Sequence, residues 1–184
     1  MAGHNLKSTS ITNLDASPVV AMPIGEGAPG MIRCVSDWVT TVSSDDTTST
    51  YKLVRIPTNA KIKSLYIMSA IASAGSGDIN IAFSDSLTDG TQPALTGVVQ
   101  LSGPVNNKLF GAAQSLVLAS ARTDFTFKGT FTQAHQNLPL WQALVNLGAT
   151  QFTADPGGFF DIQVNITTTI TTGGVLGAEC YYIV

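Results

Sequence analysis

Two stretches of strict alternation constrain this chain more than any other feature. Between Gly77 and Phe83, the side chains of Ile79, Ile81 and Phe83 fall on one side of an extended backbone. Asp78, Asn80, Ala82 and Ser84 fall on the other. Phe160, Ile162, Val164 and Ile166 repeat the pattern opposite Asp161, Gln163, Asn165 and Thr167. A period of two is the signature of a half-buried β-strand. Weaker strand signals fill most of the rest: Met31–Thr41, Thr50–Ile56, Ala60–Met68, Leu95–Leu101, Phe125 with Phe127, and Val175 to Val184. Leu116–Ala119 reads as a strand, with a short helix over Leu109–Ala121 as the alternative. Turn residues separate these segments: Ser43-Ser44-Asp45-Asp46, Pro57-Thr58-Asn59, Asp85–Gln92 and Ala154-Asp155-Pro156-Gly157-Gly158. Many short strands at such spacing predict an all-β fold, a jelly-roll-like antiparallel β-sandwich.

One segment breaks the pattern. Between Asn137 and Gly148, Leu140, Trp141, Leu144 and Leu147 recur at helical spacing, with Pro139 in the first turn and Gly148 at the stop. This predicts one short helix plugging an end of the β core. Residues 1–32 also differ. Ser8–Asn13 is polar and β-tolerant, and Pro18, Pro23, Gly25, Gly27, Pro29 and Gly30 interrupt any regular element. The expected organisation is an extended N-terminal arm over residues 1–32 and a sandwich domain over 33–184. The arm reads either as a frayed terminus or as a segment that orders against a partner.

Charge narrows the function. Charged residues are 11% of the 184-residue chain, against about 25% in ordinary domains. Nine Lys and Arg against twelve Asp and Glu cannot build the positive field of a nucleic-acid binder. No run approaches the roughly 20 apolar residues of a spanning helix, so no membrane is expected as a partner. The start lacks the apolar run of a secretory signal. Cys34 and Cys180 are too few for a disulfide framework and read as two small buried hydrophobes kept as thiols.

Chemistry is sparse. A triad of His135 with Asp124 or Asp155 lacks a nucleophile elbow. His4 lies in the arm. Arg33 beside Cys34 is weak support for a reactive thiol. Asp85, Asp89 and Asp45-Asp46 do not match a calcium loop, and the glycines match no phosphate or dinucleotide fingerprint. Asn165-Ile166-Thr167 matches a glycosylation acceptor inside an expected strand and reads as chance. No catalytic residue, metal or cofactor is expected. The one charge cluster is Lys52, Arg55, Lys61 and Lys63 around the Pro57 turn. It reads as a solvated or Lys-guarded sheet face, or as a docking patch for an acidic protein surface. Trp38 and Trp141 read as core. The uncharged run Thr168–Thr172 before Gly173-Gly174 is expected at a hairpin or against a neighbour.

Five blocks in order carry a resemblance. They are Lys7-Ser8-Thr9 with Thr12–Pro18; Ser49–Pro57 with Ala60-Lys61-Ile62; Gly77–Ala82; Leu138–Leu144; and Asp155–Ile162. A Gly-Gly hairpin and a Tyr-rich last strand follow. Together they resemble the small structural proteins of tailed bacteriophages that decorate or cement the capsid. The likeness spans nearly the whole chain and departs from the family over Val145–Phe152, which is longer here. It implies a jelly roll on the outside of the shell, assembled in the host cytoplasm. It implies binding across the phage's major capsid subunits, self-association as a dimer or trimer, and no enzymatic role. On this reading Lys7, Ile11 and Leu14 are candidate arm contacts, and Lys52, Arg55, Lys61 and Lys63 candidate capsid contacts. The rivals are a tail or neck component, and a carbohydrate-binding module stacking sugars on Trp38, Trp141, Tyr181 or Tyr182.

Overall fold

The two alternating stretches pair with each other. In the computed structural model, β5 (Ser76–Phe83) lies antiparallel to β8 (Phe159–Thr168), with Ile79 opposite Val164, Ile81 opposite Ile162 and Phe83 opposite Phe160. The structure describes residues 5–17, 31–71, 74–84, 99, 101, 108–117 and 122–184. The expected Asp85–Gln92 turn, His4, the Pro- and Gly-rich part of the arm and most of the expected 95–101 strand lie outside them.

Two sheets form the sandwich. One has the order β1 (Asn5–Lys7), β3 (Thr50–Pro57), β8, β5, β6 (Gly111–Ser115). The other has the order β2 (Arg33–Thr40), β9 (Val175–Ile183), β4 (Lys61–Ser69), β7 (Thr123–Asp124). Apart from β1, every pairing is antiparallel. Early strands pair with late ones, β2 with β9 and β3 with β8, as in a double-sheet jelly roll. Between the sheets, the β5 and β8 stripes meet Ile62, Leu65, Ile67, Leu176, Ala178 and Tyr182, all buried. The all-β sandwich stands as expected.

The polar sides of the two stripes are not solvated, as half-buried strands would have them. Asp161, Gln163 and Asn80 are buried on the outer side of the five-stranded sheet, where Arg55 answers Asp161 across the strand pair. Neither polar atom of the Asn80 side chain has a hydrogen-bond partner.

The short helix is present as α2 (Leu140–Asn146), burying Leu140, Ala143 and Leu144. Pro139 offers its first turn no side-chain cap, and the Pro57 turn takes that role. The Ala60 carbonyl accepts from Leu140 N at 2.8 Å, and the Thr58 carbonyl from Trp141 N at 3.0 Å. Gly148, at φ 92°, turns the chain out of the helix.

Four expectations change. Residues 5–17 are not an extended arm. Asn5–Lys7 adds a parallel strand beside β3, and Thr9–Leu14 forms a second helix, α1. Ser8, itself buried, caps α1 by accepting from Ile11 N, and Ile11 is fully buried. A polar, β-tolerant segment becomes helical because a capping serine starts it and one apolar side chain anchors it. The described residues place a strand at Gly111–Ser115, just before the expected Leu116–Ala119, and residues 109–117 are not helical; residues 118–121 lie outside the described ones. Phe125 and Phe127 follow the two-residue β7 in a bend rather than a strand. Finally, Thr168–Thr172 is no hairpin but a crossing between the sheets. Ile170 is buried there, donating its N–H to Asp45 O and accepting from Ser44 N. Gly173 and Gly174 follow because the chain passes so close that a Cβ would meet Thr41 O or Ala70 O at 2.6 Å.

Candidate interaction face

The residues singled out for chemistry are engaged locally. Asp124 accepts from Thr126 N and Oγ1, and Asp155 from Thr58 Oγ1 and Gly157 N. His135 leans on the Phe131 ring, and its Nδ1 accepts from Thr132 N. Cys34 and Cys180 are free thiols; Cys180 is buried as expected, whereas Cys34 is exposed because it takes the outward parity of β2, and desolvation raises the pKa of each. Among the described residues no three His, Cys, Asp or Glu side chains converge as metal ligands. No helix among them is long and apolar enough to cross a membrane.

The charge cluster around Pro57 is divided by the fold. β3 and β4 flank the turn in sequence but lie in opposite sheets. Lys52 and Arg55 therefore go to one sheet, Lys61 and Lys63 to the other. Arg55 is not a surface contact. Its Nε and Nη2 donate to Asp161 at 2.7 and 3.0 Å, and Nη1 donates to Asp15 at 2.7 Å. Burial works against the guanidinium charge, but these two carboxylates outweigh it and hold its pKa above the ordinary value. Lys52 Nζ lies 3.6 Å from the same Asp161. Lys63 Nζ donates to Gln136 O and Asn137 Oδ1, and Lys61 stays half-exposed. Of the arm candidates, Ile11 is core, and Lys7, its side chain a third exposed, pairs with Asp15 at 2.9 Å. Leu14 lies in α1.

What the molecule presents outward is the face of the four-stranded sheet. In β2 the exposed residues are Cys34, Ser36, Trp38 and Thr40, alternating with Val35, Asp37 and Val39. Trp38 is 61% exposed and does not belong to the core. Its strand neighbours carried the signal: Val35, Asp37 and Val39 take the inward parity, so Trp38 must face out. Across the sheet, Trp38, Gly177 and Met68 form one row. Gly177 lets the indole lie close to the backbone, since a Cβ there would stand 3.1 Å from Trp38 Cβ and 3.0 Å from Asp37 O. Trp38, Met68, Ser69, Ala70, Val175 and Gly177 line a shallow depression of about 220 Å3.

The next row, one residue pair along, is polar and aromatic: Ser36, Glu179 and Tyr66. Arg122 donates to Glu179 at 2.7 Å and stacks 3.5 Å from the centre of the Tyr66 ring. Tyr66 meets Tyr181 edge-on at 6.3 Å, and Tyr181 donates its hydroxyl to Glu179. The Arg122 hydrogen bond holds Glu179 below the usual carboxylate range. Donation to Glu179 raises the Tyr181 phenol to about 12. An apolar row beside a self-neutralised polar row is suited to contact with another surface.

No family model matches the sequence, and a search of curated proteins finds no match. Among solved structures, a chain of the capsid of Ralstonia phage GP4 is similar in fold. Its TM-score is 0.59 at 12% identity, over 98% of this chain and 97% of that one. A chain of the cyanophage Pam1 capsid asymmetric unit gives 0.44 at 14% identity, over 89% of this chain and 92% of that one. The first likeness shows a shared fold from end to end.

Proposed function

We propose that this chain is a structural protein of a tailed-phage virion, bound to the outer surface of the capsid, where it cements neighbouring major capsid subunits. One observation carries the reading: essentially the whole chain shares its fold with a chain of a phage capsid, with little left over on either side. One feature supports it: the exposed sheet face offers apolar and aromatic surface of the kind buried between proteins. The mechanism is stapling. A protein that binds the assembled shell and not free subunits stabilises the shell by mass action, and many copies act together. Lys61 and Lys63 remain candidates for contact with an acidic capsid surface; Lys52 and Arg55 are committed to Asp161.

Co-sedimentation with undecorated mature shells of its own phage tests the reading. The expected result is saturation at a copy number commensurate with the icosahedral lattice. Absence of binding, or a handful of copies at one vertex, overturns it in favour of a tail or neck component. A carbohydrate-binding module has one observation in its favour, the exposed Trp38 indole. Quenching or a shift of Trp fluorescence on a glycan panel would establish it.

A further inference from the structure

Trp38 stands between two hollows. On the side of β9 and β4 lies the depression over Gly177, about 220 Å3, whose lining carries no charge. Beyond β2, on the side away from β9, lies a second hollow of about 220 Å3, lined by Leu6, Lys7, Trp38, Val39 and Thr40. The two differ in chemistry. Met68, Ala70 and Val175 wall the first, and Ser69, its one polar side chain, already accepts from Ile71 N at 3.2 Å. The second has one charged side chain in its lining, and that is a cation. Lys7 Nζ lies 2.9 Å from Asp15, which Arg55 also holds at 2.7 Å. An ammonium carries three donors, and with a third of its side chain exposed Lys7 can serve a second carboxylate.

We propose that the two hollows receive one loop of a partner protein, which sets an apolar side chain over Gly177 and a carboxylate against Lys7, with Trp38 between them. The chemistry of the linings selects this occupant. The apolar depression offers the hydroxyls of a sugar nothing to bind. A second copy across a two-fold axis brings an identical patch, whose one lining charge is again Lys7. The hollows flank a single strand, so they stand about 10 Å apart, and extended chain covers that in about three residues. A Leu, Ile, Val or Phe at that spacing from an Asp or Glu fits both. The proposal rests on the cementing reading, which supplies the shell protein as the partner.

Co-sedimentation of the full chain with undecorated mature shells of its own phage reads the contact. Lys7→Glu should weaken binding roughly tenfold or more, and Trp38→Ala roughly thirtyfold or more. Added salt should weaken the wild type more than it weakens Lys7→Met. Both side chains are exposed, at 61% for Trp38 and 33% for Lys7, so the fold should persist by circular dichroism and melting. Asp15→Asn removes the same ion pair and keeps the ammonium, so it should bind shells as the wild type does. Equal losses in Asp15→Asn and Lys7→Met overturn the proposal, because Lys7 then acts only within the fold. Full-strength binding by either Lys7→Glu or Trp38→Ala removes this contact and keeps cementing. Where the wild type binds no shells, cementing falls, and overlapping peptides covering the phage's virion proteins decide the contact. Captured peptides should carry the acidic and apolar residues at the stated spacing, and Trp38→Ala should lose them. Capture of no peptide, or of glycans alone, overturns it.

Discussion

Arg55 shows how far a side chain's role can lie from its formal charge. In the sequence it belongs to a basic cluster. In the fold it is 5% exposed and shared between Asp161 on β8 and Asp15 just after α1. Removing one partner of such a pair leaves a buried charge with too few acceptors. Asp161→Asn should therefore lower unfolding free energy by about 3 kcal/mol or more, measured by urea denaturation. Asp15 gives this network a pH dependence. Burial raises its pKa, but hydrogen bonds from Arg55 and Lys7, with their charges, outweigh it and hold the native value below the ordinary one. A carboxylate lowered in the folded state contributes stability above its unfolded pKa and loses it as pH falls through the native value. The Asp15 contribution should thus be lost on acidification below about pH 4, while Asp161, whose pKa burial raises, changes in the opposite sense. Asp15→Asn should flatten that part of the profile in parallel thermal melts. The charged groups around Asp15 are Lys7, Arg55 and, through Arg55, Asp161, so the double variant Asp15→Asn/Lys7→Met should show the same flattening as the single one.

Elements hold or yield according to how much their own residues specify them. β5 and β8 are legible because their alternation is uninterrupted and a one-residue slip would turn every apolar side chain out of the core. α1 is six residues, too short to stand on its own propensity. It exists because Ser8 caps it and Ile11 enters the core. Ser8→Ala should cost about 1 kcal/mol, seen as a lower denaturation midpoint with the sandwich retained. Close passage of backbones decides other positions. A Cβ on Gly129 would stand 2.3 Å from Lys108 O and 2.4 Å from Leu109 O, and main chain cannot swing aside as a side chain can. Gly129→Ala should destabilise by about 1–3 kcal/mol or more in the same assay. Nothing in the local sequence around Gly129 announces that requirement, because the 108–111 segment it touches is brought there by the fold.

For the whole molecule, the N-terminal segment is part of the sandwich. β1 extends the five-stranded sheet, Ser8 N donates to Lys52 O, and Ile11 is sealed. Deleting residues 1–17 should lower the melting temperature measurably and leave Arg55 with Asp161 alone. A truncated chain that melts like the wild type would show that this docking contributes little. Any loss of shell binding on truncation must accordingly be read beside the melt. On the proposed reading, shell contact would use surfaces the described residues leave exposed, the Trp38 face and the neighbourhood of Lys61 and Lys63.

The sequence by itself determined that the chain is a β-sandwich, where its two best strands run, and that a Leu-Trp helix lies between them. Periodicity, turn chemistry and composition are local or additive properties, so they survive in one dimension. Only the tertiary structure decided which half of the basic cluster stays at the surface. It also decided that Ile11 is core, and that the chain at Gly173 and Gly174 passes too close to its neighbours for a Cβ. Those outcomes turn on which sheet each strand joins and what crosses over it, and non-local pairing fixes both without leaving a mark on the neighbouring residues.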